Sequence, residues 1–386
     1  MAVSAVAFGV VALILAGGFI EWVYWAMREG TIQSHLGHVQ VVRQGYLDGG
    51  MADPFAYLLP EKVPELEQIA AIKQVQAVAP RLSFNGLISH QESTISFIAD
   101  GVSPEMEELL SRSLIILEGQ GLASSDPQGI TLGEGLAANL GASVGDTVVL
   151  LANGPRGGIS AVEGHVRGIF STVTKAYDDA ALRMPLPMAQ TLLKTSGAHR
   201  WLLLLQETSD TEPVLAQVKK LLAEKDMEVV PWYALADFYN KTVTLFEKQV
   251  GVMKMIIAII IVLSISNTLM MSVMERTGEI GTVMALGFER RSILRVFLSE
   301  AVVLACIGGI VGLLLGLLLA KVISAIGIPM PPPPGMARSF IGEILVTWQL
   351  ALEALALAFS TTLLASVYPA WKASRMEIVN ALRHNR

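Results

Sequence analysis

The stretch Glu275–Glu300 reads ERTGEIGTVMALGFERRSILRVFLSE and lies between two long apolar segments. Within it, Ile280, Val283 and Met284 recur at the spacing of one face of a short helix. Gly287 follows where such a helix would end, because a residue without Cβ easily adopts the left-handed conformation found at many helix termini. The sequence therefore predicts a short helix that stops at Gly287.

A second helical pattern begins directly after this glycine. Ile293, Val296 and Phe297 share one face of it, and Arg290 and Arg291 stand at its start. The residues alone leave two interpretations open. One is an amphipathic helix that its basic residues hold against a membrane surface. The other is a docking element that a soluble partner binds from the cytoplasm.

The composition places part of the chain in lipid and part in water. Of the 386 residues, 52% are hydrophobic and 16% are charged, and the mean hydropathy is +0.53. These values are too apolar for an ordinary soluble enzyme and too polar for a wholly embedded protein. The net charge of -6 provides no basic surface for nucleic acid. The single cysteine, Cys306, excludes an internal disulfide.

Four apolar segments approach the roughly 20 residues that a membrane-spanning helix needs. They are Ala2–Ile20, Met255–Met274, Ala301–Ala320 and Ala354–Tyr368, the last extended by its flanks. The first lacks the basic start and the cleavage site of a secretory signal. It is followed by Trp22, Tyr24 and Trp25, which are typical of the aromatic belt at the outer end of a retained span.

The distribution of basic residues predicts the orientation of these spans. The segment after the second span carries Arg276, Arg290, Arg291 and Arg295, and the tail after the fourth carries Lys372, Arg375, Arg383 and Arg386. Between the third and fourth spans there are only Lys321 and Arg338. The arginine-rich segment and the tail are therefore expected in the cytoplasm, with residues of about 28–245 outside.

The outer segment contains two kinds of sequence pattern. Near its ends, helical patterns at Val63–Gln74 and Glu212–Lys225 run into the strand-like stretches Ala77–Ser83 and Met227–Val230. The middle is strand-rich, with candidate strands at Gly129–Leu132, Gly145–Ala152 and Gly164–Phe170. We predict one α/β subdomain that is split in sequence by a β-rich insertion at about residues 104–198.

The second span is expected to continue outward as a stalk. Between Trp232 and Met274 there is no proline, and Gly251 is the only glycine. A continuous helix over this stretch would be about 60 Å long, roughly twice the ~30 Å hydrocarbon core. The alternative is a break near Gly251 with a short linker.

Other polar and small residues in the spans have structural explanations. Gly308, Gly309, Gly312 and Gly316 in the third span let another helix approach closely. They predict a packing face, with a dimer contact as one possibility. Glu21, Glu300 and Glu353 lie near span ends, where burial costs less, so helix packing or snorkelling is the favoured interpretation. His35 and His38 have HxxH spacing, but metal binding needs three or four converging ligands.

Two long motifs resemble one transporter family. The pattern E-R-T-x-E-I-G-x-x-x-A-L-G-x-x-R-R-x-I at Glu275–Ile293 closely resembles the cytoplasmic coupling segment of FtsX/MacB-type ABC transporter permeases. The tail Tyr368–Ala373 (YPAWKA), continuing to Ala381, Leu382 and Arg383, is similar to the C-terminal ending of the same family.

Three weaker matches point to branches of this family. Ile130–Ala152 and Val166–Asp179 resemble the periplasmic core of MacB-type and LolC/LolE-type permeases. Gly37–Tyr46 (GHVQVVRQGY) and the stretch from Ile328 (IPMPPPPG) resemble the lipoprotein-releasing LolC/LolE branch. Gly133–Gly135 is not a phosphate loop, because the Walker spacing and lysine are absent.

The resemblance implies an α-helical membrane protein with four transmembrane helices and a large α/β periplasmic domain of the MacB type, in which a split porter-like subdomain carries a β-rich insertion. The expected parts are a first transmembrane helix (1–27), the periplasmic domain (28–245), a stalk end with the second transmembrane helix (246–274), the cytoplasmic coupling segment (275–295), a third transmembrane helix (296–321), a periplasmic loop (322–347), a fourth transmembrane helix (348–371) and a cytoplasmic tail (372–386). The location implied is the bacterial inner membrane.

The resemblance also implies a non-catalytic permease subunit. Its expected partners are a second permease subunit, in a homo- or heterodimer, and a dimer of separate ABC ATPase subunits that holds the ATP and Mg; no cofactor or metal is expected in this chain. The implied ATPase-coupling residues are Glu275, Arg276, Glu279, Ile280, Gly281, Val283, Met284, Ala285, Leu286, Gly287, Arg290, Arg291 and Ile293. We expect the Ile280, Val283 and Met284 face to supply buried contacts with the ATPase, and Arg290 and Arg291 to supply charge pairing.

Three functions remain open at this point. The first is extraction of lipoproteins or other amphipathic cargo from the inner membrane, for a periplasmic acceptor and the outer membrane. The second is MacB-type efflux with a periplasmic adaptor, which the absence of an ATPase fused to this chain disfavours. The third is FtsX-type activation of a cell-wall hydrolase, which the size of the outer segment disfavours.

Overall fold

The computed structural model describes residues 2–50, 53–60, 63–110, 114–155, 157–172, 175–330 and 340–376. Its α-helices are α1 (Ala2–Thr31), α2 (Tyr46–Gly49), α3 (Pro64–Ala70), α4 (Pro104–Leu110), α5 (Glu134–Leu140), α6 (Lys175–Asp178), α7 (Leu186–Leu193), α8 (Thr211–Leu221), α9 (Trp232–Leu235), α10 (Asp237–Glu275), α11 (Thr277–Ala285), α12 (Arg290–Ile326) and α13 (Trp348–Ser374). Its strands are β1 (Val39–Arg43), β2 (Val75–His90), β3 (Ser93–Val102), β4 (Ile115–Gly119), β5 (Gly129–Gly133), β6 (Thr147–Asn153), β7 (Ile159–Ser171), β8 (Ala181–Pro185), β9 (Arg200–Leu205), β10 (Met227–Pro231), β11 (Ile328–Met330) and β12 (Phe340–Gly342). The proline run Pro331–Pro334 and the tail from residue 377 onward lie outside the described residues.

Within these residues the chain divides into a helical unit (2–26, 241–330 and 340–376) and a sheet unit (27–240). Helices α1, α10, α12 and α13 are each long and apolar enough to cross a membrane. The prediction of a membrane protein with four apolar spans is therefore confirmed. The third of these helices is 37 residues long because the arginine-bearing turn at Arg290 continues into the apolar run without a break.

The sheet unit is built on one sheet of ten described strands. Their order is β10-β1-β9-β2-β3-β8-β5-β7-β4, with β6 pairing β2 and β7. The long strand β2 changes neighbours along its length: Val75–Arg81 pairs with β9, and Leu82–His90 pairs with β3. This change of partner divides the sheet unit into two hydrophobic cores.

The first core comes from both ends of the sheet unit and the second from its middle. Val39, Val78 and Trp201 belong to the first core, whereas Phe97 and Leu182 belong to the second. The predicted split α/β subdomain with a β-rich insertion is therefore confirmed. The sequence placed the start of the insertion at about residue 104, but Leu82 already belongs to the second core. The insertion thus begins inside a strand, which composition does not mark.

A buried charge network lies where β2 changes neighbours. Arg81 Nη2 is 3.1 Å from Glu107 Oε2, and Arg183 Nη1 contacts the other oxygen of the same carboxylate. Arg200 Nη2 is 3.5 Å from Asp100 Oδ1. Although burial raises the pKa of Asp100, Arg200 and Arg81 hold it well below its usual range. Each of these charges is buried with an opposite charge, which such groups need in a protein interior.

The helical unit is packed by apolar faces and by glycine. Ile261, Ile265 and Leu269 of α10 share a buried cluster with Val10 of α1 and Ala358 of α13. These α10 positions recur every four residues, so they lie on one side of the helix.

The glycines of α12 pack against α1 of the same chain. A Cβ at Gly308 would lie 2.7 Å from Val6 Cβ, and one at Gly312 would lie 2.7 Å from Val10 Cβ. The predicted packing face therefore exists, but an intrachain helix occupies it, so it is not free to form a dimer contact.

Helix α10 continues through Gly251 without a break. It starts at Asp237 rather than Trp232, because Ala236 leaves the helical conformation (φ -92°, ψ 54°) after the short helix α9. Its 39 residues correspond to a length of about 58 Å.

Two buried histidines in the sheet unit are held neutral. The Leu205 N–H donates to His38 Nδ1 at 3.1 Å, and the Ser83 N–H donates to His199 Nδ1 at 3.2 Å. Each ring therefore uses one nitrogen as an acceptor, which a proton would block. Burial lowers the pKa of each histidine from 6.5 to about 4.

We expect the sheet unit to lose stability as the pH falls from about 6.5 to about 4. The unfolded chain binds protons at both histidines near pH 6.5, whereas the folded chain does not until about pH 4. Stability should be greatest above pH 6.5. The measurement is amide exchange in β9 of the full chain, corrected for the intrinsic pH dependence of exchange.

The half-buried His165, which pairs with Asp126 at 2.9 Å, provides the control. His165→Asn should leave the loss of protection intact, whereas His38→Gln should reduce it. Protection that does not change between pH 7 and pH 4 would contradict the neutral, buried state of these rings.

Candidate functional site

The coupling segment forms a helix, a tight turn and the start of the next helix. Helix α11 ends in a turn where the Gly287 N–H donates to the Met284 carbonyl (3.1 Å) and the Phe288 N–H donates to the Val283 carbonyl (3.4 Å). Gly287 has φ +94°. This pair of bonds around a left-handed glycine is the Schellman motif. The helix therefore stops where the sequence predicted.

The inner face of α11 is buried in the helical unit's own core. Ile280 and Met284 belong to a cluster with Val273 of α10, Phe297 of α12 and Ala370 of α13. Ile293 and Ala373 complete the buried part of this cluster. The cluster joins α11 to the ends of three membrane-spanning helices.

The outer face of α11 and its turn are exposed and apolar. Val283 is 37% exposed, Leu286 is 75% exposed and Phe288 is 58% exposed. Arg290 and Arg291 are also exposed and follow Phe288 in the chain after the exposed Glu289. We give the name exposed coupling face to Val283, Leu286, Phe288, Arg290 and Arg291. Phe288 was not among the predicted site residues, although an aromatic side chain directly after a helix-stopping glycine would have been a usable signal.

The charged residues of the segment are distributed around this face. Arg276 Nη1 lies 3.6 Å from Glu300 Oε2, an ion pair that joins the start of α11 to α12. Within the described part of the chain, Arg290 and Arg291 have no ion-pair partner within 4.0 Å. Two exposed guanidinium groups beside exposed apolar side chains form a surface suited to an acidic partner.

The structure places the thirteen predicted coupling residues in two groups. Ile280, Gly281, Met284 and Ile293 are buried, whereas Glu275, Arg276, Glu279, Val283, Ala285, Leu286, Gly287, Arg290 and Arg291 are exposed. Because Ile280 and Met284 point into their own core, direct contact with another protein would require that core to open. The exposed coupling face is therefore the part of the segment that is accessible to another protein, and the buried pair supports it from within.

A second feature of the helical unit is an apolar groove between α1, α10 and α13. It has a volume of about 350 Å³ and is lined by Leu13, Lys254, Leu350, Glu353, Ala354, Ala356, Leu357 and Ser360. Lys254 Nζ lies 2.6 Å from Glu353 Oε2 at its edge. Charged groups inside spanning helices are costly and are expected to be paired, as they are here.

Among the residues that the structure describes, no group of three or more His, Cys, Asp and Glu side chains could hold a metal ion.

Two family descriptions match complementary parts of the sequence. The FtsX-like permease C-terminal family matches residues 251–378, and the MacB-like periplasmic core domain family matches residues 1–221. The chain belongs to the FtsX/MacB family of ABC transporter permeases. The resemblance of Glu275–Ile293 to the first family and of the middle strands to the second is confirmed.

Some relatives of this permease are named as permeases alone, and others are named as combined ATP-binding/permease proteins. It is 26% identical over 337 residues to the uncharacterized ABC transporter permease MJ1507 of Methanocaldococcus jannaschii, covering 82% of this chain and 79% of that one. It is 29% identical over 229 residues to the macrolide export ATP-binding/permease protein MacB of Syntrophobacter fumaroxidans, covering 55% of this chain and 28% of that one. It is 25% identical to the pyoverdine export ATP-binding/permease protein PvdT of Pseudomonas fluorescens, covering 87% of this chain and 50% of that one. The permease thus spans half or less of the last two relatives.

Two solved structures similar to the permease can be named. The periplasmic region of MacB from Actinobacillus actinomycetemcomitans matches with a TM-score of 0.39 at 14% identity, covering 54% of this chain and 93% of that one. The extracellular domain of the noncanonic ABC-type transporter YknZ from Gram-positive bacteria matches with a TM-score of 0.38 at 12% identity, covering 50% of this chain and 100% of that one. The family assignment rests on the sequence matches.

The division of α11 into two faces leads to opposite expectations for two aspartate substitutions. Phe288→Asp changes only the exposed coupling face, so the permease should insert and fold while binding to its ATPase weakens about thirtyfold, as for a central interface aromatic. Met284→Asp buries an unpaired carboxylate in the cluster, so the yield of folded permease should fall. Co-purification of the ATPase and the yield of membrane-inserted permease measure the two effects.

Phe238→Asp is the matched control, because Phe238 is an aromatic residue that is 73% exposed at the other end of α10. It should leave both quantities unchanged. A Met284→Asp permease that folds at full yield but no longer binds ATPase would restore Met284 as a direct contact.

Proposed function

We propose that this chain is the permease subunit of an ABC transporter whose ATP hydrolysis takes place in a separate subunit dimer. The observation that carries the proposal is the exposed coupling face in a chain of the FtsX/MacB family. Val283, Leu286 and Phe288 supply apolar surface, and Arg290 and Arg291 supply positive charge for an acidic rim of the ATPase. ATP and Mg are held by that partner, and this chain needs no cofactor of its own.

The permease works by transmitting motion. A displacement of the ATPase surface would act on α11, whose buried face contacts α10, α12 and α13. Because α10 is one helix of 39 residues, it offers a stiff element along which such a displacement can travel to the outer side of the membrane. Two permease subunits move together in this scheme, one for each ATPase subunit.

We place the permease in the bacterial inner membrane, with its sheet unit in the periplasm. Cargo on the outer side then never has to cross the bilayer. The groove between α1, α10 and α13 suits an amphipathic molecule, since it has apolar walls and the Lys254–Glu353 pair at its edge. We expect the outer ends of the first two spans to contact cargo; Lys254, near the outer end of the second span, lines this groove together with Leu13 from the middle of the first.

A lipid-anchored protein or a lipid is the cargo that the resemblance to the LolC/LolE branch favours. A periplasmic acceptor would then carry it toward the outer membrane. The named relatives favour a second candidate, since proteins of this family are called exporters of macrolides and pyoverdine. In that case the cargo is a small amphipathic molecule, and a periplasmic adaptor replaces the acceptor. The match to the MacB-like core domain disfavours an FtsX-type signalling protein without cargo.

The deciding experiment is purification of the full chain with its co-encoded ATPase in the absence of nucleotide, followed by mass spectrometry of what remains bound. An acylated protein that is released by ATP and a soluble acceptor supports lipoprotein release. A small amphipathic molecule, or an adaptor without acylated cargo, supports efflux instead. A complex that never contains an ATPase would overturn the whole proposal.

Substitution of the groove's charged edge should reduce cargo binding while the ATPase stays bound. Lys254→Met leaves Glu353 unpaired, and so it removes one charge from the site that we assign to the polar end of the cargo. We expect less cargo in the nucleotide-free complex, measured against the amount of bound ATPase. Lys248→Met, an exposed change on the same helix, is the matched control. Unchanged cargo in the Lys254→Met complex would rule out the groove.

A further inference from the structure

The groove between α1, α10 and α13 has its charged edge at the outer end of the spanning helices. Lys254 lies 21 residues before Glu275, the charged last residue of α10. This separation corresponds to about 32 Å along the helix axis, against ~30 Å for the hydrocarbon core. Glu353 lies five residues after Trp348, the exposed aromatic residue that begins α13. Because tryptophan is enriched at membrane interfaces, both helices place Lys254 and Glu353 near the depth of lipid headgroups.

From this edge the groove continues into the bilayer between apolar walls. These walls are formed by Leu13, Leu350, Ala354, Ala356 and Leu357. Ser360, which also lines the groove, lies seven residues beyond Glu353, or about 10 Å further along α13. Ala356 and Ser360 are exposed, so the groove is accessible from the surrounding lipid. Its volume of about 350 Å³ is at the lower end of the roughly 300–1,000 Å³ found for ligand pockets. A space of this size suits a single acyl chain.

The charged pair at the edge has unused capacity for hydrogen bonds. Lys254 Nζ donates to Glu353 Oε2 at 2.6 Å. An ammonium group has three donors, and a carboxylate has a second oxygen that can accept. Within the described part of the chain, neither side chain makes another hydrogen bond or ion pair. The side chain of Lys254 is 36% exposed and that of Glu353 is 62% exposed. A ligand can therefore reach a positive and a negative group side by side.

We propose that the groove binds a phospholipid with a phosphoethanolamine headgroup from the outer leaflet of the bilayer. One acyl chain lies between the apolar walls. The phosphate lies beside Lys254 and accepts hydrogen bonds from its free N–H groups, and the primary ammonium donates to the free oxygen of Glu353. Four charges of alternating sign then form a ring in which every charge has two opposite neighbours.

Other lipids match this edge less well. A phosphoglycerol headgroup has the negative charge without the positive one, so Glu353 would face it uncompensated. A phosphocholine headgroup has both charges, but its quaternary ammonium has no N–H to donate. The lipid part of an acylated protein carries esters and an amide, and so it offers no charge to either residue. An ion pair that served only to join α10 to α13 would treat all of these lipids alike.

This inference rests on the proposed function, because it names the class of molecule at the groove that we assign to cargo. The test is titration of phospholipids into the delipidated full chain without ATPase, with bound lipid counted by native mass spectrometry. The probes are phosphatidylethanolamine, phosphatidylglycerol, phosphatidylcholine and diacylglycerol with identical acyl chains. We expect the first to bind about fivefold more tightly than each of the others, the effect of one charge contact at a membrane surface. Equal affinity for all four would overturn the proposal.

The role of the carboxylate is measured with Glu353→Gln. This change should weaken the binding of phosphatidylethanolamine about fivefold and leave that of phosphatidylglycerol no weaker, so the preference disappears. Glu343→Gln is the matched control, because Glu343 is an exposed carboxylate before α13 that does not line the groove. It should leave the preference unchanged. A preference that survives Glu353→Gln would overturn the assignment of the headgroup to this edge.

The role of the apolar walls is measured with Ala356→Phe, which fills the groove from an exposed position. It should weaken the binding of all four lipids to a similar degree. Leu364→Phe, at a 68% exposed position of the same helix outside the groove, is its control and should change nothing. Unchanged affinities in Ala356→Phe would overturn the groove as the site. A permease that keeps the lipid preference but never binds an ATPase would count only against the proposed function.

Discussion

The cytoplasmic end of this permease depends on the burial of Ile280 and Met284 against α10, α12 and α13. Helix α11 has only nine residues, and an isolated helix of that length is not stable in water. Its helical state therefore comes from the contacts of this inner face. The same contacts fix its rotation about its own axis, so Val283 is turned outward, with Leu286 and Phe288 exposed beyond it. The exposed coupling face and the contacts with the membrane-spanning helices are thus two sides of one short element.

The buried charge network has a comparable role in the sheet unit. It lies where β2 exchanges β9 for β3, which is the point where the two hydrophobic cores separate. Arg81, on β2, reaches Glu107 on α4, while Arg200 on β9 reaches Asp100 on β3. Charges buried in this way tolerate little misplacement, because removing one partner leaves the other uncompensated. We therefore expect the network to favour one relative register of strands that belong to different cores.

The sequence was most informative where periodicity and a single special residue coincided. Spacing alone predicted the four apolar spans, the stop at Gly287 and the outer helix–strand units. Strands β8 and β9 were not predicted, because β8 is wholly buried and β9 is buried beyond its first residue, so neither shows an alternation of apolar and polar residues. The division of α11 into a buried and an exposed face was not predicted. Periodicity grouped Ile280, Val283 and Met284, but it could not say whether their partner was the permease itself or another protein. That distinction depends on Phe297 and Ala370, which are distant in sequence and near in space.

Many polar groups in the spanning helices are satisfied in one of two ways. Several hydroxyls donate to carbonyl groups of their own helices, as those of Thr361 and Ser366 do. Lys254 and Glu353 pair with each other across two helices. Among the described residues, the side chains of Asn267 and Ser264 have neither solution, and both are exposed on α10. The side of α10 that its own chain leaves uncovered is therefore not purely apolar.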